Sequence, residues 1–222
     1  MSKTTITKTY QRRPKTRRRP KRNKTRISRA MTNTAFPSSK FCKMTYSDNW
    51  TLTSTTGAPK GHIFNVNSLF DPDQTGVGHQ PYFYDQLAAI YNAYVVTACK
   101  FEMTGSSSSN CSVTLRPSTS PTVPSNLTLE MERPKCKKAF FTATGNGKSI
   151  SNYTTCAALF GRSKSAITDE DDFRGAGGSP SQRGYWSLCI QHPDQASTVS
   201  IYVGIKITYY CKWMNLKVLN QS

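Results

Sequence analysis

The 222-residue chain carries 30 Lys and Arg against 12 Asp and Glu, a formal charge of +18, with 36% hydrophobic residues. A chain of this length can bury one sizeable core, and a balance this basic argues for a polyanionic partner. Its seven cysteines are odd in number, scattered and never spaced C-x-x-C. They support neither a zinc site nor a disulfide framework and read as reduced, mostly buried thiols.

The charge is unevenly placed. Thirteen Lys or Arg fall within residues 3–29, and no Asp or Glu occurs before Asp48. Residues 48–222 hold fifteen bases against twelve acids, so a nearly neutral body follows a strongly cationic arm. The densest part, residues 11–29 (QRRPKTRRRPKRNKTRISR), is punctuated by Pro14 and Pro20 and almost lacks apolar side chains. Like charges at this density repel and there is little apolar surface to bury, so the arm is expected to be disordered alone. On a polyanion it gains order, with counterion release supplying most of the binding free energy. The groups assigned to nucleic-acid binding are Arg12, Arg13, Lys15, Arg17, Arg18, Arg19, Lys21, Arg22, Lys24, Arg26 and Arg29. Tyr10 is the only aromatic residue within residues 1–30, so the arm should contact phosphate without reading sequence. Arg17, Arg18, Arg19, Lys21 and Arg22 also form a cluster of the nuclear-import type. A solvated tail is the plain alternative. A transit peptide fits poorly, because the prolines and the Arg triplet spoil an amphipathic helix. The sequence has no apolar run of eighteen residues and no apolar segment near Met1, so neither membrane insertion nor secretion is expected.

The expected division is an arm over residues 1–40 and a body over residues 41–222. The body is rich in Ser, Thr and aromatic residues, a composition that favours strands. Residues 42–53 mix apolar and polar positions in a strand-like way, and Gly57-Ala58-Pro59 ends them. A short strand over 61–66 and a Pro- and Gly-punctuated loop over 67–81 follow. Tyr84, Leu87, Ile90, Tyr91 and Tyr94 fall at helical spacing and predict a helix over 82–94. A strand is predicted over 94–104, with Val95, Thr97, Cys99, Phe101 and Met103 on one face and Lys100 and Glu102 on the other. The Gly/Ser turn 105–110 predicts a hairpin to 111–116.

Residues 117–126 read as a loop, 135–144 as a basic strand, 145–148 as a turn and 153–160 as a short helix. The long polar stretch 161–184 holds the acidic run Asp169-Glu170-Asp171-Asp172, and 185–191 is a strand with Trp186, Leu188 and Ile190 on one face. The clearest element is 199–213, apolar at every second position from Val199 to Trp213, with Ser200, Tyr202, Gly204, Lys206, Thr208, Tyr210 and Lys212 between. Seven or eight antiparallel strands with long loops and little helix define the expected fold class, an all-β single jelly roll, or antiparallel β sandwich, behind a disordered basic arm.

No catalytic constellation emerges. His62, His79 and His192 sit in separate segments with no ligand partner at metal spacing, and no nucleophile elbow, zincin helix or phosphate loop occurs. Asp71 with Asp73, and the run 169–172, offer oxygen ligands but lack the spacing of a calcium loop. No enzyme activity, metal or cofactor is expected.

One block goes beyond composition. Asn67-Ser68-Leu69-Phe70-Asp71-Pro72-Asp73, Thr75-Gly76-Val77-Gly78-His79-Gln80-Pro81, Tyr84-Asp85-Gln86-Leu87 and Tyr91-Asn92-Ala93-Tyr94-Val95 together resemble a segment of the capsid proteins of circular, Rep-encoding single-stranded DNA viruses, the circovirus-like group. The Arg-rich start, the late acidic loop and the alternating last strand agree in layout. This chain has Phe83 where that family often has Gly. The resemblance implies a jelly-roll subunit, about sixty copies of which close into a T=1 shell around circular single-stranded DNA. The arm would line the interior, bringing about 780 cations in all, and would also engage host nuclear import receptors. Lys135, Lys137 and Lys138 are candidates for the inner wall. An unidentified host-cell receptor is a further implied partner, and the implied locations are the virion and the host nucleus. Two readings stay open beside it. One is the coat of a small RNA virus, because phosphate contacts do not distinguish the sugars; the other is a cellular nucleic-acid-binding β domain with a basic tail.

Overall fold

The computed structural model describes residues 36–55, 58–143 and 147–218. The arm groups assigned above, Arg12 to Arg29, lie outside the described residues. Phe36–Ser222 forms one compact unit.

The first and last strands are neighbours. β1 (Ser39–Ser54) pairs antiparallel with β9 (Val199–Leu216), from Ser39 opposite Met214 to Ser54 opposite Val199. The alternation read in β9 is the one observed: Val199, Ile201, Val203, Ile205, Ile207, Tyr209, Cys211 and Trp213 are buried, and the strand runs on to Leu216. Its other edge takes β3 (Tyr91–Ser107), which pairs in turn with β6 (Lys148–Thr155) and with the two-residue β7 (Arg174–Gly175). The second sheet has the order β2 (Lys60–Asn65), β8 (Tyr185–Gln191), β4 (Cys111–Ser118), β5 (Lys137–Phe141). The first has the order β1-β9-β3-β6. The chain changes sheet between β1 and β2, β2 and β3, β3 and β4, β5 and β6, β7 and β8, and β8 and β9. That path through two antiparallel sheets is a jelly roll, the fold class expected from the sequence.

The inner faces meet in one aromatic core. Phe64 of β2 lies 5.3 Å, ring to ring, from Phe101 of β3, and Phe101 lies 5.9 Å from Trp186 of β8. Two of the polar tips inside it are paired: Tyr209 Oη donates to Asn65 O at 2.9 Å, and Trp186 Nε1 donates to Cys99 Sγ at 3.2 Å. Each such fully buried large side chain contributes on the order of 1.5–3 kcal/mol. All seven cysteines are free, and Cys99, Cys111, Cys156, Cys189 and Cys211 are buried, as the sequence led one to expect.

Several local expectations are corrected. The predicted hairpin between 94–104 and 111–116 does not form. β9 and β6 already occupy both edges of β3, so the chain crosses after Ser107 to the other sheet, where β4 pairs with β5 and β8. The helix expected over 82–94 is the shorter α1 (Tyr84–Ile90), because Tyr91 already belongs to β3. Within β3 the register shifts between Val96 and Ala98. Such a bulge moves one residue out of phase, so Tyr94 and Val96, not Val95 and Thr97, share the core face with Cys99, Phe101 and Met103. Residues 153–155 complete β6, and the short helix there is α3 (Cys156–Phe160), preceded by α2 (Leu127–Glu132) earlier in the chain. The stretch expected to be irregular over 161–184 contains α4 (Lys164–Asp169), whose Ser163 side chain caps the amide of Ala166.

Phe83 takes φ 68°, a left-handed conformation that favours glycine. This is the position at which the sequence departs from the resembled segment, so the backbone there keeps a glycine-like geometry with a bulky side chain on it.

Candidate functional site

Residues 67–95 fold as a brace between the sheets. After β2 the chain doubles back: Asn65 N donates to Pro72 O at 2.8 Å and Gln74 N to Ile63 O at 3.2 Å, which covers the free edge of the second sheet. Asn67 is buried and spans to the segment before β8, donating to Gln182 O at 2.8 Å and accepting from Gly184 N at 2.9 Å. Tyr94 Oη accepts from the amides of Leu69 and Phe70 and donates to Gly178 O at 3.0 Å. A side chain at Gly78 would place Cβ 2.8 Å from Tyr46 Oη and from Asp73 Cβ, so the close approach needs glycine.

The acidic and histidine groups singled out in the sequence are held by their neighbours. Asp73, 4% exposed, accepts from His62 Nε2 and from Thr75 N and Oγ1, each at 2.9 Å. Burial pushes its carboxyl upwards, but the His62 hydrogen bond and those from Thr75 outweigh burial and leave it below the ordinary 3.8. Asp71 goes the other way, raised by burial and then by the charge of Asp73, with Arg183 opposing. In the later run, Arg174 pairs with Asp171 at 2.6 Å and donates to the carbonyls of Thr168 and Asp169, while Asp172 accepts from Ser181 Oγ at 2.8 Å. His79 faces two carbonyls, Gln80 O at 2.8 Å and Ser47 O at 2.9 Å, and His192 meets Asp194 at 2.6 Å. Among the described residues no group of three or more His, Cys, Asp or Glu is placed to hold a metal ion.

The body lysines proposed as an inner wall do not form one cluster. Lys135, Lys137 and Lys138 are all exposed, but Lys137 and Lys138 are consecutive in β5 and point to opposite sides of it. Lys135 is drawn to Ala158 O at 3.3 Å.

A different basic surface is assembled by the β1–β9 register. On the outward side of the first sheet Lys43 stands opposite Tyr210, and Phe41 opposite Lys212. Each ammonium sits over a ring, Lys43 Nζ 5.2 Å from the Tyr210 centroid and Lys212 Nζ 5.6 Å from that of Phe41. Tyr153 of β6 meets Tyr210 edge-on at 6.1 Å. Two adjoining clefts follow this line and share Thr97. One, of about 290 Å³, is lined by Phe41, Lys43 and Tyr210; the other, of about 330 Å³, lies between Tyr153 and α4 and has Lys164 at its rim. Among the described residues Lys43, Lys164, Lys206 and Lys212 make no ion pair, whereas Lys100 is paired with Glu102 at 2.7 Å. Beneath the first cleft Cys42 and Cys211 face each other with sulfurs 3.4 Å apart. The Cys211 thiol's hydrogen bond lowers the Cys42 thiol to about 7, against the effect of burial and with help from Lys40. In the sequence Tyr202, Lys206, Tyr210 and Lys212 fall between the apolar positions of β9. The alternation marks that side, but only the pairing with β1 shows the cations and rings to be interleaved.

The strand order alone places the body in the class of eight-stranded jelly rolls. Solved chains with a coarse likeness in path come from virus particles. A chain of Mud crab tombus-like virus is 11% identical over 95% of this chain and 96% of its own, with a TM-score of 0.47. A chain of the Macrobrachium rosenbergii nodavirus is 12% identical over 98% of this chain and 64% of its own, at 0.47. The 60-mer BFDV capsid protein is 14% identical over 84% of this chain and 100% of its own, at 0.44. No protein-family model and no curated protein sequence matches the chain.

Proposed function

We propose that this chain is a viral coat subunit: its jelly-roll body tiles a small closed shell, and its cationic arm holds the enclosed nucleic acid. The role is structural and not catalytic. The observation that carries it is the division of charge, thirteen cations within residues 3–29 ahead of a nearly neutral antiparallel sandwich. A cellular β domain with a basic tail would share the charge but has no use for residues 67–95, which resemble a capsid segment and here brace the two sheets to each other. That segment also favours circular single-stranded DNA over RNA as the cargo and a T=1 shell of about sixty copies. Arg12, Arg13, Lys15, Arg17, Arg18, Arg19, Lys21, Arg22, Lys24, Arg26 and Arg29 are the proposed phosphate contacts, and the cluster from Arg17 to Arg22 is the proposed import signal to the host nucleus.

Sedimentation of the purified protein, followed at 260 and 280 nm together, tests this reading. A single fast boundary rich in 260 nm absorbance is expected, and nuclease digestion of its contents then separates DNA from RNA. Slow material of single-chain mass, stable across salt and protein concentration, would instead identify a cellular binding module.

A further inference from the structure

The outward face of the β1-β9-β3-β6 sheet combines the two features that single-stranded nucleic acid requires of a protein surface. Unpaired bases stack on exposed aromatic rings whatever their sequence, and the backbone follows a cationic groove. Here Phe41 and Tyr153 are 72% and 53% exposed, and Tyr210 lies between them. Cations alternate with those rings along both strands, Phe41 then Lys43 on β1 and Tyr210 then Lys212 on β9. Among the described strand residues the face carries Lys43, Lys100, Lys206 and Lys212 against the carboxylate of Glu102, which Lys100 already neutralises. We propose that this face is a second nucleic-acid contact, distinct from the arm, which stacks unpaired bases on Phe41, Tyr210 and Tyr153 and holds their phosphates with Lys43 and Lys212. The proposal rests on the reading of the chain as a nucleic-acid-packaging subunit and adds to it a base-stacking component that residues 1–30, with Tyr10 as their one aromatic residue, lack.

Charge selects this occupant over a second copy of the chain. A copy seated here would have to bring carboxylates, and in the chain's acidic run Asp171 is paired with its own Arg174 and Asp172 accepts from its own Ser181. A duplex is also a poorer fit, since its base faces are already stacked. β1 is in addition the strand that follows the arm in sequence, with Phe41 twelve positions after Arg29.

The test uses the full chain, a labelled oligo(dT) probe and a duplex of the same length. At salt high enough to screen the arm, a Phe41→Leu/Tyr210→Leu variant should bind oligo(dT) about tenfold more weakly, given the usual contribution of a stacked base. Its duplex affinity should stay nearly constant. Lys43→Gln/Lys212→Gln, which leaves the core untouched, should weaken oligo(dT) binding and flatten its salt dependence; it serves if the aromatic variant fails to fold. Irradiating the protein with an oligonucleotide carrying 5-iodouracil should cross-link peptides containing Phe41, Tyr153 or Tyr210. Cross-links confined to residues 1–35, with both variants binding like wild type, would overturn the sheet contact and leave the packaging arm standing. No binding by wild type at all would overturn both. Protection of Tyr210 from hydroxyl radicals in shells free of nucleic acid would show a second copy on this face and overturn the proposal.

Discussion

At the middle of the β2-β8-β4-β5 sheet the outward side chains are as deeply buried as the core, Thr114 being 0%, Ser187 1% and Cys189 0% exposed, while Lys138 and Phe140 of the edge strand β5 are open to solvent. In the β1-β9-β3-β6 sheet the equivalent side shows Phe41, Tyr202, Lys206 and Thr104 to solvent, and only its β3–β6 end lies under α3 and α4. The difference comes from the connections. The link from β4 to β5 folds back over its own sheet, with Arg116 of β4 paired to Glu130 of α2 and Val123 lying against Gly61 and Cys189. Gly61 makes room for this, since a Cβ there would stand 2.8 Å from both Val123 Cγ1 and Cys189 Sγ. Among the described residues no connection of comparable length crosses the outward side of β1 and β9. The middle of one sheet is therefore covered by its own chain, and the described part of the other is open over β1 and β9.

The shared core is where the largest loss is expected. Ile205→Asp places an unpaired charge on the buried face of β9, at a cost of several kcal/mol. The variant should not fold, and a normal yield of soluble assembled protein would mean that the faces of β9 are reversed. Next is the roof of the closed sheet. Glu130, 1% exposed, is bracketed by Arg116 and by Arg133 at 3.4 Å. Glu130→Ala strands the largely buried Arg116 and should cost about 3–5 kcal/mol in urea unfolding. A loss below about 1 kcal/mol would show the roof to be loosely attached.

The two outward faces can be compared directly. Thr114→Asp under the roof should cost at least about 2 kcal/mol, because the carboxylate has no room for solvent. Thr104→Asp on the open face should change stability by no more than about 0.5 kcal/mol. Equal effects would remove the distinction between the sheets.

How much of this was legible depends on the range over which each feature is written. β9 was read from Val199 to Trp213, three residues short of its end, because its alternation there is local and uninterrupted, and the separation of arm from body needed only a count of charges. The hairpin from β3 to β4 was misread because a turn reports that the chain reverses, not which sheet receives it. The Thr97 bulge was invisible for a similar reason: a shift of phase is seen only against the partner strand. α4 is six residues long with Ile167 as its one buried side chain, too little for a helical period to emerge from the polar stretch around it. The aromatic and basic surface was the least legible of all. Cys42 and Cys211 mark its register, and they are 169 positions apart.

The smallest effect belongs to the loop that carries the chain from the closed sheet to the open one. His79 lies between Gln80 O and Ser47 O, the second belonging to β1, and a neutral imidazole has only one N–H to donate. Protonation supplies the other. The Gln80 carbonyl and then the Ser47 carbonyl therefore raise its pKa above the ordinary 6.5, with slight burial opposing. A raised folded pKa means that the charged form stabilises the fold. This contribution is fully present below pH 6.5 and is lost as pH rises through the higher folded value. Solvent screening keeps it under about 1 kcal/mol. The stability difference between wild type and His79→Asn should accordingly shrink as pH rises from 6 towards 8, and the imidazole should titrate above 6.5 by NMR. A difference that grows with pH would mean that His79 ties the loop to β1 in its neutral form, through a single hydrogen bond.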